Sequence, residues 1–115
     1  MFRGKAELKD PDNGTVVATF TEECEHSGAA KARVVLKQPI TLSGTERLAI
    51  YGTKKDQEVV SVLAKHGEPT EIHEFEGDSS LGCVPDHSEV SLTRSPGGPL
   101  GTLLTVLGQG TIEKN

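Results

Sequence analysis

Cys24-Glu25-His26 and Cys83-Val84-Pro85-Asp86-His87 each set a thiol close to an imidazole. Two thiols with two imidazoles are a ligand set that suits tetrahedral zinc. Structural zinc sites usually space the ligands of each pair two to four residues apart, a rule that Cys-x₃-His meets and Cys-x-His does not. The default reading is therefore a pair of reduced thiols, Cys24 and Cys83, with surface histidines beside them and no metal or other cofactor; one structural disulfide between them is the next reading. A zinc site on Cys24, His26, Cys83 and His87, in a small β binding module, is the alternative.

Nucleophilic chemistry at Cys83 would need a base held near it, from His66, His73 or His87, and no motif around the cysteine fixes one. No Gly-x-Ser-x-Gly is present for serine hydrolysis. Gly97-Gly98-Pro99-Leu100-Gly101 lacks the trailing Lys of a phosphate loop, and its proline removes an amide that would cradle an anion. No catalytic residue is assigned on these grounds, and a non-enzyme is expected.

Glu71, Glu74, Glu76 and Asp78 surround His73 in an acidic patch. Paired carboxylates serve glycoside cleavage where an apolar pocket raises one pKa. Sugar sites also use aromatic platforms, and this chain offers only Phe2, Phe20, Tyr51 and Phe75. The patch reads as a solvated strand face able to steer a basic partner. Ile72 and Phe75, flanked by Glu71 and Glu74, are the expected partner contacts.

The elements that carry these residues are short and β-rich. Ala6–Lys9 and Thr15–Phe20 flank Asp10-Pro11-Asp12-Asn13-Gly14, a hairpin turn with Asn-Gly to accept positive φ. Lys31–Lys37 alternates as a strand, Gln38-Pro39 interrupts it, and Ser43-Gly44-Thr45 marks a tight turn between Ile40–Leu42 and Arg47–Tyr51. Thr53 and Asp56 imitate a capping box while Gly67 and Pro69 supply a stop, so a short helix is predicted over 54–66. Its rival is a strand from Glu58 to Lys65, rich in valine. Strands follow over Thr70–Phe75, Glu89–Thr93 and Thr102–Leu107. Glu76–Ser80 reads as an exposed loop, and Gly108-Gln109-Gly110 separates a last segment at Thr111–Glu113. Glu22–Ala30 and Glu76–His87 are the long irregular stretches, able to order on docking.

This pattern predicts a mainly β protein: one domain over 1–115, an antiparallel β-sandwich or small barrel of about seven to nine short strands. Cys24, Cys83 and Gly108-Gln109-Gly110-Thr111 resemble the cysteine pair and last strand of immunoglobulin variable domains. The resemblance stops there: that family's core Trp is missing and Leu81 stands where it has Tyr, so it assigns no residue a role.

Three Phe, one Tyr and no Trp leave the interior to Val, Leu and Ile, which bury less area each than a ring does. A lone subunit of this kind is expected to be marginal and to share stability with neighbours. The charge of −5 without clustered Lys and Arg argues against nucleic acid. No apolar run is long enough to span a bilayer, and Glu7 precedes any apolar stretch, so neither a membrane span nor a signal peptide is expected. The expected function is a non-enzymatic structural subunit, oligomeric or assembly-bound, whose partners are protein: copies of itself or a larger shell. Small capsid decoration, cement or tail proteins of phage particles resemble this profile in size and β content. A cytoplasmic or virion component is the matching location.

Overall fold

The computed structural model describes residues 2–52, 57–65, 67–79, 82–96 and 104–115. Nine strands form one antiparallel sheet: β1 (Phe2–Lys9), β2 (Val16–Cys24), β3 (Ala30–Leu42), β4 (Arg47–Tyr51), β5 (Glu58–Leu63), β6 (Thr70–Ser79), β7 (Glu89–Ser95), β8 (Thr105–Thr111) and β9 (Glu113–Lys114). The sheet order is β5-β4-β7-β8-β1-β2-β3-β6, with β9 on β1. The sheet curls until its end strands β5 and β6 face each other, which nearly closes a barrel. At that seam a Cβ on Gly77 would stand 3.3 Å from Cγ2 of Val60, so side chains fill the gap.

Strict alternation builds the inner face. Gly4, Ala6 and Leu8 of β1 point inward between exposed Arg3, Lys5, Glu7 and Lys9. On β2 the inward set is Ala18, Phe20, Glu22 and Cys24; on β3 it is Ala30, Ala32, Val34 and Leu36. Cross-strand register then packs Phe20 between Ala6 and Val34, and Val34 beside Phe75. Small residues thus neighbour large ones, as dense packing of a ring requires. Leu48, Ile50, Val90, Leu92 and Ile112 complete the core from the other half of the sheet.

The Asp10–Gly14 hairpin forms as expected, with Asp10 Oδ1 accepting from the Asp12 amide at 2.8 Å and Asn13 Oδ1 from the Thr15 amide at 2.9 Å. Elsewhere tertiary pairing overrides local signals. Glu58–Leu63 of the predicted helix is strand β5, because its valines pair with β4 and bury Val59 and Val60; Thr53–Asp56 and His66 lie outside the described residues. The stop signal serves the β5–β6 turn instead, where Gly67 adopts φ +80°. Gln38-Pro39 does not end β3: the residues between Val35 and Ile40 form a bulge against β6, where proline's missing N–H removes no ladder bond.

Glu76–Ser79 is strand and not loop, paired along β3, and Glu22–Cys24 extends β2 so that only 25–29 make a turn. The Ser43–Glu46 turn is present, but β3 and β4 do not pair across it. It carries the chain from one half of the sheet to the other, held by Arg94, which donates to Glu46 Oε2 and Oε1 (2.9 Å each) and to the Thr41 carbonyl at 2.9 Å. Gly108-Gln109-Gly110 lies inside β8. A Cβ on Gly108 would come 2.6 Å from Val17 Cγ2, and one on Gly110 would collide with the Glu7 carbonyl oxygen. These glycines let β8 cross close over β1.

Candidate functional site

Two regions carry the chain's chemistry: a carboxylate buried under a cross-linked segment, and the charged outer face of the β1-β2-β3-β6 half-sheet. The buried region begins with an interior row of unusually small residues. Gly4, Ala32 and Gly77 share a register row with Glu22; a Cβ on Gly4 would stand 2.8 Å from Ile112 Cδ1 and one on Gly77 3.3 Å from Val60 Cγ2, so side chains from elsewhere in the sheet close over this row on either side of Glu22. Glu22 is 1% exposed. The Val84 amide donates to its Oε1 at 3.1 Å and Oε2 at 3.3 Å. Burial pushes its pKa up to about 7, against the Val84 hydrogen bond and the nearby charge of Lys114, both of which lower it.

Cys24 follows two positions later on the same inward face and is disulfide-bonded to Cys83, with 6.0 Å between the Cα atoms. This corrects the expectation of reduced thiols. Cys24 and Cys83 lie far apart in the chain and come together only when β6 runs beside β3, next to β2, and the chain after it turns back across the sheet's inner face. Ser79 Oγ donates to the Gly82 carbonyl at 3.1 Å at that reversal. The segment is therefore held by a covalent bond, the Glu22 carboxylate and the burial of Val84 in the core.

The zinc set does not assemble, because both sulfurs are bonded to each other. His26 is exposed at the β2–β3 turn, its ring 5.5 Å from that of Phe2. His87, at φ +64°, instead meets Asp86 Oδ2 at 3.3 Å and Glu113 Oε2 at 3.6 Å on the surface.

The predicted contact set divides between the two faces of β6. Ile72 and Phe75 point into the core at 7% and 6% exposure, whereas Glu71 and Glu74 are exposed. This corrects the assignment of Ile72 and Phe75 as surface contacts: the β3 bulge shifts the alternation of β6, so both apolar residues turn inward. Glu71 pairs with His73 Nε2 at 2.7 Å, and Glu74 forms an ion pair with Arg33.

Glu74 belongs to the outer charged face. Arg3, Glu23, Lys31 and Asp78 stand side by side in one register row across β1, β2, β3 and β6. The next row is Lys5, Thr21, Arg33 and Glu76, and the next Glu7, Thr19, Val35 and Glu74. The β6 column of these rows is acidic throughout, and the first two rows of β3 are basic. Two open concavities of ≈ 460 and ≈ 480 Å³ lie on this face, lined mainly by charged and small residues. Val35 is 43% exposed among the charges.

Sequence reasoning missed Glu22. The signal was available: it is in phase with Ala18, Phe20 and Cys24, which marks it as inward on β2. The charge rows had no such signal, since they depend on the register of four strands. No protein-family model, curated protein or solved structure matches this chain.

Proposed function

We propose that this protein is a non-enzymatic structural subunit that packs through its β1-β2-β3-β6 outer face against copies of itself or a larger assembly, a virion being the favoured setting. The observation that carries the reading is the ordering of charge into rows and columns on that face. Alternating charge on a rigid sheet gives orientation and partner choice, which is what electrostatic complementarity supplies best. Its concavities are open and charged, unlike the enclosed apolar pockets that hold small substrates.

The disulfide supports the virion setting over the cytoplasmic one, because such bonds persist on particles and in oxidising compartments and are rare in the cytosol. The test is mass in solution joined to a low-resolution image of the protein in its native particle. The reading expects self-association or regular placement on a larger shell. A robust monomer that docks to nothing and turns over a substrate would overturn it.

A further inference from the structure

The row Arg3, Glu23, Lys31, Asp78 has the sign order plus, minus, plus, minus, so reading it backwards exchanges every sign. A surface with that property is complementary to itself under one rotation. From it we infer that the occupant of this face is a second copy of the chain, in an isologous dimer whose two-fold axis runs parallel to the strands, between β2 and β3. The inference rests on the assembly reading above and names its partner.

That axis keeps each row level and reverses the order of columns, so β1 lies over β6 of the second copy and β2 over its β3. Arg3 then faces Asp78 of the second copy and Glu23 faces Lys31, each contact occurring twice by symmetry. In the second row Lys5 faces Glu76, and Arg33 faces the hydroxyl of Thr21. In the third, Val35 meets the methyl of Thr19, while Glu7 faces Glu74, which its own Arg33 already pairs. The other in-plane axis, across the strands, stacks Lys5 on Lys5, Arg33 on Arg33 and the acidic β6 column on itself. Like charges therefore reject that arrangement.

Aligned sheets pack about 10 Å apart. The four strands share six residues of register, from Phe2 to Glu7 on β1 and from Ser79 to Glu74 on β6, and present roughly 20 by 19 Å, or roughly 760 Å² over both copies, in the range of weak and transient contacts. The predicted dimer is correspondingly weak and salt-sensitive, suited to a particle in which many contacts act together.

Arg3 and Asp78 lie three strands apart within one copy, so their charges can be reversed separately. Sedimentation equilibrium of the oxidised protein at about 50 mM and about 500 mM salt should show a dimer that weakens as salt rises. Arg3→Asp and Asp78→Lys, both at exposed positions, should each keep the wild-type melting temperature and lose dimerisation by about tenfold or more. Mixed one to one, they should form a heterodimer, since Arg3 of one variant meets Asp78 of the other and the new Lys meets the new Asp. If each variant alone dimerises as the wild type does, the copies meet elsewhere; this pairing is overturned and the assembly reading stands. A mixture that stays monomeric overturns the pairing too, as does a wild type that is monomeric at low salt, and the particle image then decides the assembly reading by itself.

Discussion

The Val84 main-chain N–H donates to both carboxylate oxygens of Glu22, a partner 62 positions earlier in the chain. The contact joins the inner face of β2 to a segment held by the Cys24–Cys83 disulfide, and burial, acting against that hydrogen bond, raises the carboxyl pKa to about 7 in the folded state, against 4.5 for an ordinary glutamate. The folded chain therefore binds a proton more tightly than the unfolded chain does. Stability from this group is full below about pH 4.5 and declines as pH rises towards 7.

Glu22→Gln keeps a carbonyl acceptor for the Val84 amide and removes the charge. We expect little change at pH 5 and stabilisation of about 1–2 kcal/mol at pH 8, so that thermal melts of the variant lose much of the wild type's decline between those values. A decline of the same size in the variant would show that another group is responsible.

Reduction of the disulfide, or the pair Cys24→Ser and Cys83→Ser, should lower stability by about 2–4 kcal/mol, because the bond closes a loop across 59 positions. Loosening should begin at Gly82–Pro85, so hydrogen exchange at the Val84 amide should accelerate before exchange in β2 and β3 does. Uniform acceleration across all strands would instead indicate global loss of the fold.

Gly110→Ala and Gly67→Ala separate two reasons for glycine. At Gly110 a methyl group would strike the Glu7 carbonyl where β8 crosses β1, and a loss of at least about 3 kcal/mol is expected in denaturant titration. Gly67 has φ +80° but open space around it, so only the backbone preference is lost, about 1 kcal/mol. Equal costs would mean that the crossing relaxes to admit a side chain.

Phe75→Ala should cost about 3–5 kcal/mol through the cavity it leaves beside Val34. Glu74→Ala, one residue away on the outer face, should leave the urea midpoint close to that of the wild type, since its ion pair with Arg33 is solvent-exposed. Urea midpoints of the two variants check the inward and outward assignments of β6 directly.

Much of the architecture is legible in the sequence. The Asp10–Gly14 turn and the alternation of β1 and β3 are local, because a strand with one buried face must repeat every two residues and an Asn-Gly turn sets its own backbone. The helix over 54–66 failed for the opposite reason. Its capping residues and stop were genuine local signals, but pairing of Val60 and Val62 with β4 and burial of Val59 outweighed them. Pro39 and Gly108-Gln109-Gly110 misled in the same way, since a bulge and a close crossing use the residues that elsewhere end strands.

The sequence by itself determined an antiparallel β protein of about seven to nine short strands with an aliphatic interior, because strand periodicity and turn chemistry act over neighbouring residues. Only the tertiary structure decided that Cys24 meets Cys83, that Glu22 is sealed beneath Val84, that Ile72 and Phe75 face inward, and that Arg3, Glu23, Lys31 and Asp78 form one row. Each of these depends on the register between strands distant in the chain. A slip of one residue turns every side chain of a strand to the opposite face, so such relationships are set by the packing of the whole sheet and are not written in any single segment.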